Sequence, residues 1–279
     1  MGRVLVTGAS GNVGAPLVRR LRGSGEQVVA AVNRRSSESG TVRFDFMDRS
    51  TWTEALDDVD RVFLLRPPAL SDVTAHIRPF IAELVERGVE HVVFLSVMGV
   101  NRAMPHWRVE HDLKASTLGW TLLRPSFFMQ NLTGPYRDEI RDHDQITQPA
   151  GRGRFSFVDA ADLAEAAAVV LTSPDGYRDT VLTVTGSEAL GYADVAALLT
   201  STLGRPITYR PGRLLAARRH LIADGADTAY ANVQLVINLT ARLGMAKRTT
   251  PDLARILGRQ PRRLDEFITD NRASWARTA

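Results

Sequence analysis

The chain of 279 residues contains no cysteine. This absence excludes disulfides, zinc–thiolate sites, iron–sulfur clusters and cysteine nucleophiles. No apolar run approaches the ~18 residues of a membrane-spanning helix. The opening MGRVLVTGASG also lacks an apolar stretch of signal-peptide length. We therefore expect a cytoplasmic protein that does not bind a membrane.

Lysine is also scarce, since Lys114 and Lys247 are the only two among 35 basic residues. The net charge is +4 and the pI near 9.8 would suit an anionic partner. However, the arginines are spread along the chain among carboxylates, and no helix-turn-helix, RNA-binding or zinc motif is present. His106 and His111 are not spaced to share one face of a helix, and no HExxH occurs. We expect neither a nucleic-acid partner nor a metal.

Short apolar runs alternate with amphipathic stretches through the first half of the chain. This order is typical of βαβ units that build a parallel sheet covered on both faces. The sequence therefore predicts a doubly wound α/β fold. The predicted strands are residues 3–7, 27–32, 42–44, 61–65, 91–96 and 120–124. The predicted helices between them are residues 13–22, 51–56, 73–87 and 108–116.

The pattern changes after Pro125. A polar, loop-like stretch is predicted at 138–149, and the elements after it are a strand at 155–158, a helix at 159–171, a strand at 180–185, a helix at 192–203 and mostly helix from 213 onward. We expect residues 1–132, completed by 150–185, to form a dinucleotide-binding core. Residues 133–149 and 186–279 would then form a small, mainly helical substrate lobe.

The segment TGASGNVG joins the first predicted strand to the first helix. In this setting Gly8 permits a tight turn, Gly11 allows a pyrophosphate to approach the backbone, and Gly14 permits close packing of the helix on the strand. The helix N-terminus then faces the anion. The alternative is a tight turn that binds nothing. The candidate cofactor-binding residues are Gly8, Ser10, Gly11, Asn12, Val13 and Gly14.

The second predicted strand ends at Asn33, Arg34, Arg35 and Ser36, without the acidic residue that usually binds the ribose of NAD. Arginine suits the 2′-phosphate of NADP. We therefore expect NADP(H), bound by Arg34 in preference to Arg35, with help from Asn33 or Ser36. NAD(H) stays possible because Asn33 can hydrogen-bond a free ribose hydroxyl.

Further candidates follow the next strands, at the carboxyl edge where such sheets bind ligands. Asp45 and Phe46 would lie beside the adenine, although Phe46 equally suits the core. The remaining cofactor candidates at this edge are Leu65, Arg66, Ser96 and Val97, and Met98 is a substrate candidate.

Five segments carry a resemblance to a known family. They are VTGASGNVG, DVDRVFLL, VVFLS, GWTLLRPSFFMQNL and FSFVDAADLAEAAAVVL. With them the chain resembles the NmrA-like group of atypical short-chain dehydrogenase/reductases. The resemblance implies a Rossmann core, a C-terminal substrate lobe and a nicotinamide cofactor. It also implies one of two roles, a reductase such as a quinone reductase or a redox-sensing regulator.

Orthodox short-chain enzymes use a tyrosine and a lysine four residues apart to protonate the developing alkoxide. By the resemblance, these positions hold Arg102 and His106 here. Reduction of an ordinary ketone is therefore disfavoured, whereas a quinone or an iminium needs no strong acid. His106 is a catalytic candidate, as a weak acid near neutral pH or a partner of the nicotinamide ribose. The alternative pairs it with Glu110. Ser96 is the second catalytic candidate, and a capping role is its alternative.

In this family the stretch after the sixth strand lies beside nicotinamide and substrate. Its aromatic and methionine side chains suit a flat apolar ligand, or else a hinge core. Pro125, Phe127 and His106 complete the cofactor candidates. The substrate candidates are Met98, Trp107, Phe127, Phe128, Gln130 and Asn131.

The function expected from these residues is an NAD(P)H-dependent oxidoreductase or tailoring enzyme. Its partner would be a small aromatic substrate, such as a quinone, an aromatic polyketide or an iminium. One alternative is an NADP(H) sensor that acts through a protein partner. Another is an enzyme that keeps the nucleotide as a structural element for non-redox chemistry. The oligomeric state does not follow from the sequence.

Overall fold

The computed structural model describes residues 2–34, 39–67, 70, 72–223, 225 and 228–277. The strands are β1 (Arg3–Val6), β2 (Gln27–Val32), β3 (Thr41–Arg43), β4 (Val59–Leu65), β5 (His91–Leu95), β6 (Gly119–Pro125), β7 (Gln145–Ile146), β8 (Arg154–Phe155), β9 (Thr180–Val184), β10 (Leu190–Gly191) and β11 (Thr208–Tyr209). The helices are α1 (Gly14–Gly23), α2 (Trp52–Ala55), α3 (Val73–Glu86), α4 (Pro105–Ala115), α5 (Arg137–His143), α6 (Ala160–Thr172), α7 (Tyr192–Leu203), α8 (Leu214–Ala223), α9 (Thr228–Arg242), α10 (Asp252–Leu257) and α11 (Leu264–Asp270).

The chain forms two compact units. Unit 1 consists of Met1–Pro125, Ala160–Val184 and Asp252–Arg259. Unit 2 consists of Ser126–Asp159, Thr185–Pro251 and Gln260–Ala279. Unit 1 includes a late segment that the expected division placed in the lobe, because α10 buries Leu253 and Ile256 and packs against α6 and β9.

The sheet of unit 1 has seven parallel strands in the order β3-β2-β1-β4-β5-β6-β9. This is the doubly wound order, and the predicted fold class is confirmed. The register pairs Leu65 of β4 with Leu95 of β5, and Leu95 with Leu123 of β6. Because the strands are parallel and aligned, the residues that follow β4 and β5 lie side by side at the carboxyl edge.

The buried core of unit 1 explains why its strands and helices could be predicted from the sequence. Every residue of β5 is buried, as expected of a central strand covered on both faces. Phe80 of α3 makes edge-on ring contacts with Phe44, Phe46 and Trp52 at centroid distances of 5.2–5.3 Å. Continuous apolar strands and a helix with one apolar face give the strongest periodic patterns in the sequence.

Unit 2 is built around an aromatic core of short elements. Phe155, Phe157 and Tyr192 are buried together, with ring centroids 5.5–6.1 Å apart. Its two small sheets each have two strands, β8 with β10 antiparallel and β7 with β11 parallel. Among the described residues, none of the helices combines the length and the hydropathy that a transmembrane span requires.

Two predicted elements of unit 2 need correction. The stretch at 138–149 is not a loop throughout, because it contains most of α5 and all of β7. Ile140 and Ile146 are its buried anchors, while neighbouring charges such as Arg141 and Asp142 pair with each other on the surface. One apolar residue in a seven-residue helix gives no periodic pattern. The strand predicted at 155–158 is also shorter, since β8 ends at Phe155.

Candidate functional site

The glycine turn follows β1 and opens α1 in unit 1. Gly8 has a φ of +67°, a left-handed conformation that glycine adopts without strain. At Gly14 a Cβ would lie only 2.1 Å from the carbonyl oxygen of Gly8. The turn therefore requires glycine at Gly8 for conformation and at Gly14 for close packing.

The same turn presents unused backbone donors. In the described part of the chain, the N–H groups of Ser10, Asn12 and Val13 donate to no protein acceptor. α1 begins without a side-chain cap and without an acidic residue in its first turn. Ser10, Gly11 and Asn12 are exposed. This arrangement fits an anion such as the pyrophosphate of a dinucleotide, because the unused N–H groups and the positive end of the helix dipole both lie at the start of α1.

Asn33 and Arg34 follow β2 and both are exposed. Within the described ranges Arg34 forms no ion pair, so its guanidinium is available to a phosphate. Arg35 and Ser36, the other candidates at this strand end, lie outside the described residues.

The structure separates the two candidates that follow β3. Asp45 shapes a turn, since its Oδ1 accepts from the Met47 N–H at 2.9 Å and its carbonyl oxygen accepts from Nε1 of Trp52 at 2.9 Å. Phe46 is 5% exposed, and its ring meets that of Phe44 edge-on at 4.8 Å. The core interpretation of Phe46 is the one that the structure favours, because its ring is enclosed by other aromatic residues.

Leu65 and Arg66 lie at the end of β4. Leu65 packs against the glycine turn, since a Cβ on Gly8 would lie 3.1 Å from Leu65 Cδ2. The guanidinium of Arg66 donates to the carbonyl oxygens of Pro67 and Leu70, at 2.8 and 2.6 Å. Burial lowers the pKa of Arg66. A half-buried positive charge thus stands at the carboxyl edge.

A buried polar network joins β5, α4 and β6. Ser96 donates from Oγ to Glu110 Oε1 at 2.5 Å, and Arg124 donates from Nε to the same oxygen at 2.9 Å. A further Arg124 nitrogen contacts Glu110 Oε2. Glu110 is 2% exposed. Because its hydroxyl proton is directed at Glu110, Ser96 can only accept a hydrogen bond from a ligand, and its part in the network is to position others.

Sequence reasoning did not find this network. It offered Glu110 only as the alternative partner of His106, and in the described part of the chain His106 makes no hydrogen bond to Glu110. One feature of the sequence indicated a buried carboxylate: Glu110 directly follows Val109, which lies on the apolar face of α4. A buried carboxylate needs a paired cation, and Arg124, at the end of the predicted sixth strand, is the arginine that could have been proposed as the partner of Glu110.

His106 lies on the first turn of α4, with its ring centroid 6.2 Å from that of Phe94. Burial and then the charge of Arg66 lower its pKa to about 4, while Glu110 acts in the opposite direction. Its imidazole is therefore neutral at physiological pH. This corrects the expectation of a weak acid near neutral pH, because no imidazolium proton is available there.

The neighbours of His106 do not restore a proton donor. Arg102 precedes α4, so it does not stand one helical turn before His106, and its guanidinium lies over the Trp107 ring at 5.8 Å. Trp107 and Met98 are half-buried in unit 1. The Met98 N–H donates to the carbonyl oxygen of Pro125 at 2.9 Å, which joins the ends of β5 and β6. Val97, between Ser96 and Met98, is half-buried as well.

The remaining substrate candidates lie in unit 2. The Phe127 ring contacts that of Phe155 at 4.7 Å, and Phe127 and Phe128 are half-buried. Gln130 donates from Nε2 to Asp159 Oδ1 at 2.7 Å, and the backbone N–H of Asn131 donates to the Phe128 carbonyl at 3.2 Å. These contacts give the segment a structural role in unit 2. In the residues that the structure describes, no group of three or more His, Asp or Glu side chains could hold a metal ion.

Comparison with known proteins agrees with this architecture. The chain is 30% identical over 275 residues to the uncharacterized oxidoreductase YesF of Bacillus subtilis, covering 98% of this chain and 96% of that protein. It is 32% identical to agroclavine dehydrogenase of Claviceps fusiformis, with 98% of each chain covered. The NADPH-dependent quinone oxidoreductase QOR2 of Escherichia coli, solved with NADPH, shares the fold with a TM-score of 0.85 at 23% identity, covering 96% of this chain and 99% of that one.

The two sequence relatives are named as an oxidoreductase and a dehydrogenase. The prediction of an NAD(P)-dependent oxidoreductase is confirmed. The model of the NmrA-like family matches residues 1–268, nearly the whole chain. The chain belongs to the NmrA-like family.

Proposed function

We propose that this protein is an NADP(H)-dependent reductase of a flat conjugated electron acceptor, with quinones as the first substrate class. One observation carries the proposal: the carboxyl edge of unit 1 combines a glycine turn that has unused backbone N–H groups with a histidine that stays neutral at physiological pH. Such an edge suits hydride transfer to a substrate that needs no strong acid from the protein.

The glycine turn would hold the nucleotide. The N–H groups of Ser10, Asn12 and Val13 would donate to the pyrophosphate, supported by the dipole of α1. Arg34 would pair with the 2′-phosphate, and Asn33 would bind a ribose hydroxyl when NAD(H) takes its place. When bound, NADPH supplies a hydride equivalent. The candidates beyond the turn, such as Leu65, Val97 and Pro125, would provide the apolar edge beside it.

The weakness of His106 as an acid supports the choice of quinones as the substrate class. By the resemblance, Arg102 and His106 stand where orthodox short-chain enzymes have the tyrosine and the lysine. A neutral imidazole donates a hydrogen bond without giving up a proton readily. A quinone delocalises the negative charge that reduction creates. An ordinary ketone localises that charge on one oxygen and needs an acid beside it.

Arg66 favours quinones over iminium ions. Its positive charge lies close enough to the edge to contribute to the lowered pKa of His106. The same charge would stabilise an anionic hydroquinone as it forms and would repel a cationic iminium. The carboxylate of Glu110 offsets this charge only in part, because at His106 the effect of Arg66 is the larger of the two, and Arg124 and Ser96 already bind that carboxylate.

The test is the oxidation of NADPH by purified protein with matched acceptors, followed through the absorbance of the reduced nicotinamide. We expect turnover with a naphthoquinone, slower turnover with a cyclic iminium and none with a simple ketone. Equal rates with the ketone would contradict the proposal. Tight NADPH binding without oxidation by any acceptor would favour the sensor alternative instead.

A further inference from the structure

One side of α9 in unit 2 presents a row of exposed apolar side chains. Its members follow one another at spacings of two to four residues, and each residue is 41–65% exposed. They are Val233, Val236, Leu239, Leu243 and Met245, and we call this row the α9 face. Single exposed apolar residues are ordinary on a protein surface, whereas a continuous row of them marks an interaction site.

The other side of α9 is already packed inside unit 2, where it lines a cavity. The residues of α9 at that cavity are Ala231, Gln234, Leu235 and Asn238. Because successive residues of a helix are turned by about 100°, these four lie on the side of α9 opposite to Val233 and Val236. Glu139 lines the same cavity. Its carboxylate therefore lies across the helix from the α9 face.

The segment that contains α8 and α9 is strongly basic. Residues 205–248 include eight arginine and lysine residues and two acidic residues, a net charge of +6, whereas the whole chain has a net charge of +4. The two acidic residues, Asp224 and Asp227, lie outside the described residues. The positive charge of the protein is therefore concentrated in this one segment, and the remainder of the chain is slightly acidic.

Basic side chains lie at both ends of the α9 face. Arg218 of α8 donates from Nε to Oδ1 of Asn232 at 2.6 Å, and Asn232 directly precedes Val233. Lys247 and Arg248 follow Met245, and both are exposed. Within the described ranges Arg218, Lys247 and Arg248 form no ion pair. The surface is thus apolar along the helix and positively charged at its two ends.

We propose that the α9 face binds the surface of an anionic phospholipid bilayer. Its apolar side chains would enter the boundary between headgroups and acyl chains, and the basic residues at its ends would lie beside lipid phosphates. The expectation that the protein does not bind a membrane rested on the lack of a spanning segment, and a helix that lies in the interface needs none.

Charge and shape together favour this partner. A second copy of the chain would bring two segments of +6 against each other. A nucleic acid would match the charge but leave the apolar row in water. A bilayer covers a convex helical surface without needing a complementary shape. The surface does not rest on the proposed reductase activity, so failure of either proposal leaves the other standing.

The test is co-sedimentation of the full-length, nucleotide-free protein with vesicles. One set contains equimolar phosphatidylglycerol and phosphatidylcholine, and the other contains phosphatidylcholine alone. We expect at least about tenfold stronger partitioning onto the anionic vesicles, and this preference should weaken as salt is added. Equal partitioning onto both sets, or no binding to the anionic set, would overturn the proposal.

A first pair of substitutions removes apolar side chains from the α9 face. The double variant Val233→Ser and Leu243→Ser should partition at least about tenfold more weakly onto anionic vesicles, because less apolar surface enters the interface. Both positions are exposed, so the fold should persist. The matched control is Met47→Ser with Val85→Ser, which changes two exposed apolar residues of unit 1 and should bind like the wild type.

A second pair removes charge at one end of the face. Lys247→Ala with Arg248→Ala should weaken binding to anionic vesicles by about tenfold or more. Arg19→Ala with Arg108→Ala removes the same net charge from exposed positions of unit 1, and its binding should change much less. Equal losses in the two variants would show general attraction by net charge and contradict the assignment to the α9 face.

Two further outcomes would assign the face to another partner. Analytical ultracentrifugation without lipid could show a dimer that the Val233→Ser and Leu243→Ser variant does not form, and the face would then bind a second copy. Alternatively, vesicle binding could survive both pairs of substitutions at the α9 face, and the lipid contact would then lie elsewhere. Either result would overturn the proposal.

Discussion

The two units treat polar groups in different ways. Unit 1 buries the carboxylate of Glu110 and surrounds it with two partners, Ser96 and Arg124. Unit 2 buries Asn238 and leaves its Oδ1 without a partner among the described residues. Of the open donors on the glycine turn of unit 1, those of Ser10 and Asn12 belong to exposed residues, where an unpaired N–H costs little. Both units also bury single polar atoms without a partner among the described residues, such as Nδ1 of His91 in unit 1. The difference lies in charge: the buried carboxylate of Glu110 is paired, so loss of a partner there costs far more than loss of the one bond that the neutral amide of Asn238 makes.

Breaking the network of unit 1 should have the largest effect. Glu110→Gln leaves Arg124 beside a neutral amide, and we expect a loss of about 3 kcal/mol in the free energy of unfolding, measured by urea denaturation. The matched control is Glu83→Gln, which removes an exposed pair with Arg87 one helical turn away. That change should cost about 0.5 kcal/mol or less. Similar losses of unfolding free energy in the two variants would contradict the claim that the buried pair of Glu110 contributes more stability than the exposed pair of Glu83.

The second-largest expected effect is the loss of NADPH affinity when the glycine turn is distorted. Gly14→Val places side-chain atoms against the Gly8 carbonyl, so the turn must distort and NADPH affinity should fall about a hundredfold or more by calorimetric titration. Gly23→Ala, at the other end of α1, has nothing within 4 Å of the new Cβ. It should bind NADPH normally, and its free energy of unfolding should rise by about 0.5 kcal/mol. Normal binding by Gly14→Val would show that the turn does not hold the nucleotide.

Arg34 tests cofactor choice. Arg34→Ala should weaken NADPH binding on the order of tenfold and leave NADH binding unchanged, because only NADPH offers a 2′-phosphate to the guanidinium. Arg19→Ala removes another exposed arginine of unit 1 and controls for net charge. If Arg34→Ala weakens both nucleotides equally, the arginine acts through general attraction and the NADP(H) preference has another origin.

The neutral histidine predicts a pH dependence of stability. The ordinary pKa of 6.5 governs the unfolded chain, whereas the folded-state pKa of His106 is about 4. Between these values the unfolded state takes up the proton first, so stability falls as pH falls from 6.5 towards 4. His91, with a pKa also of about 4, acts in the same direction.

His106→Gln should therefore flatten the stability profile by about 1 kcal/mol between pH 7 and 5, measured by denaturation at each pH. His111→Gln, which removes an exposed imidazole of the same helix, is the matched control. A profile that is identical in wild type and His106→Gln would mean that His106 is not held neutral by the fold.

The smallest expected change in stability is that of a substitution at Asn238 in unit 2. Asn238→Leu gives up one hydrogen bond to Gln234 and relieves an unpaired buried oxygen. We expect the free energy of unfolding to change by no more than about 1 kcal/mol. A loss as large as that of Glu110→Gln would show that Asn238 is satisfied in the folded protein, and the contrast between the units would fail.

Much of unit 1 was predictable because its strands are buried runs and its helices have one apolar face. β2 and α7 have the predicted bounds, and the glycine turn stands where the motif placed it. α5 was missed because a helix with one buried isoleucine has no periodicity. The Ser96–Glu110–Arg124 network was missed because its members belong to three elements, and only the packing of α4 on the sheet brings them together.

The most direct test of the reductase account follows a labelled hydride. NADPH carrying deuterium at its transferable position would be incubated with the protein and a naphthoquinone, and the loss of label from the cofactor would be compared with the hydroquinone formed. The account predicts one deuteride lost for each quinone reduced, with slower turnover than unlabelled NADPH. Hydroquinone formed without loss of label, or bound NADPH that is never oxidised, would contradict it.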